Sequence, residues 1–217
     1  MGGGSQISDK NQRTKYLLVG SGPEVETWIS KHLQWFVLND YKILTFNNSW
    51  KIVPLHHIFE YFNASDSKHH CTFIPSEIEK KQINKKTTIN QDKCIRDLYC
   101  ILKKNPRAST TMFFDVLYYL HAKHAKHGDQ FSVAVVGCNL IYKKKGDTFY
   151  SHLPISKATN DPVNKFTDKE LSIELSNVQK LYDSRSCDIW NASTMEGTRL
   201  PFKHFHDYLW ISQKAAT

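Results

Sequence analysis

The 217-residue sequence contains no apolar run approaching the ~18 residues that a membrane-crossing helix requires. It opens without a charged-then-apolar leader, so a cytoplasmic protein is expected and its Asn-x-Ser sequons at Asn47, Asn63 and Asn191 carry no information. Met1-Gly-Gly-Gly-Ser5 misses the myristoylation pattern, because Gln6 stands where Ser or Thr is needed. Paired cysteines are absent too. Cys71, Cys94, Cys100, Cys138 and Cys187 are odd in number and form no C-x-x-C, which argues for reduced thiols and against a disulfide framework. Neither the G-x-G-x-x-G dinucleotide pattern nor the G-x-x-x-x-G-K-[ST] phosphate loop occurs, which disfavours a dehydrogenase or a P-loop ATPase. Zinc-finger spacing, an aromatic-glycine RNA-binding pattern and internal repeats are also missing, so nucleic acid is not an expected partner.

What is present is a basic, foldable chain. Lysine and arginine exceed aspartate and glutamate by 29 − 21 = +8, with a pI near 9.1, so the surface favours anionic partners without choosing among nucleotides, acidic glycans, anionic membrane faces and nucleic acid. The runs Lys143-Lys144-Lys145 and Lys80, Lys81, Lys85, Lys86 read as solvated faces. A hydrophobic content of 40% and 12% aromatics suit one α/β domain over residues 15–217, preceded by a flexible segment 1–14.

Tyr16 to Val19 suit a buried strand that runs into Gly20-Ser21-Gly22-Pro23, and Glu24 to Val37 suit a helix. Tyr41 to Phe46 reads as a second strand ending at Asn47-Asn48-Ser49, and the short links imply a right-handed parallel crossover. Val53 to Phe62 reads as a short helix, and Cys71 to Pro75 as a third strand. Ser76 to Lys93 reads as a helix start passing into a loop, and Cys94 to Lys103 as a helix. Thr111 to Lys126 is the clearest helix, followed by the Val-rich strand Phe131 to Val136 ending at Gly137-Cys138-Asn139. Residues 143–166 form a polar lid candidate. Thr167-x-x-Glu170 caps a helix to Tyr182, Cys187 to Trp190 is a last strand, and Phe202 to Ile211 a final helix. The fold class is therefore α/β, an open and mostly parallel sheet flanked by helices, with a lid.

In such sheets ligands sit beyond the carboxyl ends of the strands. Gly20, Ser21, Gly22 and Pro23, then Asn47 and Asn48, then Ser109, Thr110 and Thr111, then Gly137 and Asn139 all fall at strand ends or helix starts. Their hydroxyls, amides and backbone N–H groups suit a phosphate, a ribose and a base edge. A glycine turn after a strand is common in α/β proteins, and one helix N-terminus contributes only about 0.3–1 kcal/mol to anion binding. Several groups must act together. His121, His124 and His127, at i, i+3 and i+6, read as a solvated basic face rather than a zinc site, which needs three or four convergent ligands. His152, in the lid, has the titration range of a general base or acid, against the alternative of a surface histidine.

The order of these segments resembles the bacterial lipooligosaccharide sialyltransferases and the related MptE-like and flagellin-glycosylation families. Tyr16 to Pro23 is similar to their "GNGPS" turn, Ile43 to Asn47 to a second-strand segment ending in a nucleotide-contacting Asn, and Ala108 to Met112 to a "TSG" segment at the ribose. Val135 to Asn139 resembles their "GxD" strand end, Tyr142 a following aromatic, Gly146 to Tyr150 an "hFY" segment, and Ile189 to Ser193 a closing "iyNlS". The resemblance implies a Rossmann-like (GT-A-like) glycosyltransferase that binds a nucleotide sugar, with a CMP-sugar favoured, and transfers it to a glycan without an obligatory metal. It implies phosphate at Gly20 to Pro23, nucleotide at Asn47 and Asn48, ribose at Ser109 to Thr111, and leaving-group tyrosines at Tyr142 and Tyr150. The chain departs from the pattern at Ser21, Glu24 and Asn139, which replace Asn, Ser and Asp. The family histidine is missing before Lys165-Phe166-Thr167-Asp168, which leaves His152 as the candidate base. A catalytically inactive nucleotide- or glycan-binding module is the alternative. A pterin diphosphokinase is a third reading, and Asn139 argues against it because acidic metal ligands would be wanted there.

Overall fold

A computed structural model describes residues 13–64, 75–89, 111–140, 167–194 and 198–205. Six strands form one all-parallel sheet: β1 (Thr14–Val19), β2 (Tyr41–Phe46), β3 (Ile58–Ala64), β4 (Lys85–Ile89), β5 (Phe131–Val136) and β6 (Asp188–Asn191). The spatial order is β4-β3-β2-β1-β5-β6. The chain builds outward from β1 through β2 and β3 to β4, then crosses back to place β5 on the other side of β1. The order reverses between β1 and β5, which makes their carboxyl ends the topological switch point.

Side chains alternate across the sheet and make two cores. Leu17, Val19, Ile43 and Val136 face α1 (Val25–Leu38), which contributes Val25, Trp28, Ile29, Leu33 and Phe36. Tyr16, Leu18, Leu44, Phe62, Val133 and Val135 face the opposite way. There they meet α3 (Met112–Ala125) and α4 (Asp168–Asp183). β5 is buried along its whole length, and its Val-rich composition is what a strand covered on both faces needs. α4 opens with the Thr167–Glu170 capping box, the Thr167 hydroxyl accepting from the Glu170 N–H and the Glu170 carboxylate from the Thr167 N–H.

The middle of the chain differs from its sequence reading. Only Leu55–His57 is a short 3-10 turn where a helix was expected, and Ile58–Ala64 is a strand. Its Glu60 is fully buried, a residue that disguises a strand when the sequence is read alone. Glu60 Oε1 takes Lys85 Nζ at 2.8 Å and the Thr87 hydroxyl at 2.5 Å, while Oε2 makes no hydrogen bond and has Lys123 Nζ 3.6 Å away. The helix start expected at Ser76 is present, but the described residues after it form a strand rather than a loop. Ser76 and Glu79 cap a short helix, α2 (Glu77–Gln82), and Lys85–Ile89 is the outermost strand among the described residues. Lysines and threonines there suit a sheet edge, which charged side chains protect from further pairing. Strand 71–75 and helix 94–103 lie outside the described residues apart from Pro75, which is not in a strand.

The histidine reading is also corrected. His121 and His124 are 3% and 6% exposed. His124 Nε2 lies 2.9 Å from the Tyr16 hydroxyl and its ring stacks on Phe131 at 4.5 Å. His127 stays exposed. Helical spacing alone does not say which face is covered, and here α4 and β5 cover the face that carries His121 and His124. Cys138 and Cys187 are buried free thiols, as expected from the cysteine pattern. No helix among the described residues is long and apolar enough to cross a membrane.

Candidate functional site at the switch point

The glycines of the first turn are explained first by strand approach. Gly20 N–H donates to Val136 O at 2.8 Å and Gly22 N–H to Gly137 O at 2.7 Å, so the turn is laced to the end of β5. A Cβ on Gly20 would stand 2.3 Å from Gly137 O and 2.4 Å from Cys138 Sγ. Gly137 has φ 68°, and a Cβ there would press on Val25 at 2.9 Å. The amides of Gly20 and Gly22, expected from the sequence to cradle a phosphate, are therefore already bonded within the protein.

What the turn presents instead is an acid. Glu24, the N-cap residue of α1, makes no capping bond with its own helix. Its Oε1 accepts from Asn139 Nδ2 at 2.8 Å and lies 2.8 Å from the Ser193 hydroxyl. Ser193 Oγ also lies 2.9 Å from Asn139 Oδ1, so its single proton serves two acceptors. Ser193 is fully buried and Asn139 is 2% exposed. Glu24 Oε2 is buried beside Gly22 and has no hydrogen-bond partner. Three strand exits thus meet on one carboxylate: β1 through Glu24, β5 through Asn139, β6 through Ser193. Ser193 is held in turn by its N–H donating to Asn191 Oδ1 at 3.0 Å, and Ala192 N–H bonds back to Val135 O at 2.8 Å.

A cation stands close by. Arg199 N–H donates to Asn139 O at 3.2 Å, and its Nη1 donates to Leu140 O at 3.3 Å. Leu140 itself sits at φ 58°, a left-handed backbone unusual for a non-glycine residue, and such strain clusters where function shapes the chain. On the neighbouring exit Asn47 takes φ 51°, a conformation Asn tolerates, and Asn48 is 1% exposed. Ser49 locks β2 to β1, accepting from Phe46 N–H at 3.0 Å with the Val19 carbonyl 2.7 Å from its hydroxyl. Thr111, the N-cap of α3, is 8% exposed, and its hydroxyl is buried without a partner. Burial, and then the Glu24 carboxylate, push the Cys138 thiol well above its usual range, so it stays protonated and is no nucleophile.

Of the sequence candidates, Gly20, Ser21, Gly22, Pro23, Gly137 and Asn139 come together at the switch point. Asn47 and Asn48 lie at the adjacent strand exit, and Thr111 opens α3 at the same edge of the sheet. Ser109, Thr110, Tyr142, Tyr150 and His152, and the lid 143–166, lie outside the described residues. Sequence reasoning missed the role of Glu24, Ser193 and Arg199. Glu24 is separated from Asn139 by 115 positions and from Ser193 by 169, so no local spacing joins them. Among the described residues no group of three or more His, Cys, Asp or Glu side chains is arranged to hold a metal. Comparison with protein-family models, with curated proteins and with solved structures gives no match to this chain.

Proposed function

We propose that the chain binds a nucleotide sugar at the β1–β5 switch point and acts as a glycosyltransferase, with a CMP-sugar as favoured donor and a glycan as acceptor. The observation that carries this reading is the convergence of three strand exits, with polar side chains from each, at the place where open parallel sheets take their ligands. Micromolar binding requires about 8 kcal/mol, which several convergent groups supply and one turn does not.

In this reading Asn47 and Asn48 contact the nucleotide, Ser109, Thr110 and Thr111 the ribose, and Arg199 takes the phosphate charge from the β5 exit. The acceptor hydroxyl attacks the anomeric carbon, the phosphate oxygen leaves with the bond's electron pair, and His152 receives the hydroxyl proton. Tyr142 and Tyr150 donate to the departing phosphate. The roles of Tyr142 and Tyr150 follow from the family resemblance, which also implies transfer without an obligatory metal; His152 is assigned as base because the family histidine is missing from its usual place. The proposed setting is cytoplasmic, with the basic surface in peripheral contact with an anionic membrane.

A second reading, binding without transfer, is favoured by one observation: the Gly20 and Gly22 amides are engaged and an acid stands beside them. Thermal-shift titration with CMP-, UDP- and GDP-sugars, followed by assay of released nucleotide, separates the two. A site ligand at 100 times its dissociation constant adds about 2.7 kcal/mol of stability. Stabilisation with nucleotide release supports the enzyme, and stabilisation without release the binding module. No stabilisation by any nucleotide sugar refutes the enzyme and the nucleotide-binding module, and leaves a glycan-binding module.

A further inference from the structure

We propose that Glu24 determines the specificity of the switch-point crevice: it excludes phosphate from the β1–α1 turn and reserves that position for an uncharged, hydroxyl-bearing ring of the ligand. The inference rests on the reading of this crevice as the ligand site, and it changes which part of the ligand meets the turn.

Four observations carry it. The two glycine amides that would otherwise bind phosphate oxygens donate to Val136 O and Gly137 O. The Glu24 carboxylate is held by Asn139 Nδ2 and the Ser193 hydroxyl, both at 2.8 Å, so swinging away breaks two part-buried hydrogen bonds. Its second oxygen, Oε2, is buried with its bonding capacity unmet. That capacity is for accepting, and a carboxylate oxygen accepts from a hydroxyl or an N–H but repels a phosphate oxygen. The neighbouring cation, Arg199, donates from Nη1 to Leu140 O and from its backbone N–H to Asn139 O, so it is tied to the β5 exit.

A sugar ring suits the turn, because its hydroxyls donate to a carboxylate, and its phosphate then lies toward Arg199. The ring is either the ribose of a nucleoside or a transferred hexose. These two sources share one chemistry, and the test tells them apart.

The test is isothermal titration of the full chain and of Glu24→Gln and Glu24→Ser with cytidine, glucose and inorganic pyrophosphate, with thermal melts to confirm that each variant is folded. Removing the charge is expected to tighten pyrophosphate by tenfold or more and to weaken cytidine or glucose by threefold or more. Weakening of cytidine identifies the ribose, and weakening of glucose identifies the hexose. Pyrophosphate affinity that is unchanged or lower in folded Glu24→Gln and Glu24→Ser overturns the proposal. If the unaltered chain binds neither cytidine nor glucose but the variants gain pyrophosphate, phosphate exclusion stands and the nucleotide-sugar reading falls.

Discussion

His121 offers a quantitative test of the packing between α3 and α4. It is 3% exposed, and neither ring nitrogen has a hydrogen-bond partner. Its neighbours are Tyr182, 6.2 Å away between ring centroids, and the guanidinium of Arg185. Burial first, and Arg185 second, push its pKa down from 6.5 to about 4. The unfolded chain therefore binds the proton more readily than the folded one between these two values. Stability from this group is complete above pH 6.5, is lost as pH falls toward 4, and does not fall further below that. The linkage relation puts the loss at about 2 kcal/mol by pH 5 and about 3 kcal/mol by pH 4. The perturbation is His121→Leu, which is similar in volume and leaves no polar atom unmet. Urea unfolding between pH 4 and 8 should show the variant's stability varying with pH less steeply than that of the original chain by this amount. His124, whose pKa is also lowered, by burial and then by Lys123, titrates in both proteins and cancels from the difference. Parallel curves for the two proteins would refute the placement of His121 in the core.

Other outcomes follow from the same structure. Gly20→Ala drives a methyl group into the backbone of Gly137 and should cost about 1–3 kcal/mol or more by thermal or urea unfolding, since overpacking against main chain cannot relax cheaply. Thr167→Ala removes the capping box of α4 and should cost about 1 kcal/mol in the same assay, whereas Thr167→Ser should cost little. Glu60→Ala removes the carboxylate that joins β3 to Lys85 and Thr87 of β4 and should cost about 1–3 kcal/mol, since the part-exposed lysines keep their contact with water, with Glu60→Gln intermediate. Arg199→Ala should weaken CMP binding by roughly 1–3 kcal/mol, the worth of a charge-assisted bond, and leave cytidine unchanged by calorimetry.

How much of this was legible depends on what each segment had to satisfy locally. α1, α3 and α4 and strands β1, β2, β5 and β6 could be read because burial on defined faces writes periodic or continuous apolar patterns. Thr167 and Glu170 mark a helix start through bonds spanning three residues. β3 could not be read, because Glu60 looks incompatible with a core until Lys85, Thr87 and Lys123 arrive from β4 and α3. β4 could not be read because an edge strand need not be apolar. At the site, the Gly20–Pro23 turn and the Gly137–Asn139 strand end were visible as separate signals. Neither signal showed that the glycines also allow the close approach of two strand exits, or that Glu24, Asn139 and Ser193 meet there. That contact exists only once the sheet order is known.

The proposed ligand site lies at one location, the carboxyl edge between β1 and β5. Amide chemical-shift mapping of the isotope-labelled chain with CMP and with a CMP-sugar tests it most directly. The largest shifts are expected at Ser21 to Val25, Gly137 to Leu140, Ala192 to Thr194 and Arg199, with smaller ones at Asn47 and Asn48. Shifts confined instead to the opposite edge of the sheet, at Lys15, Lys42, Lys85 and Lys123, would contradict it.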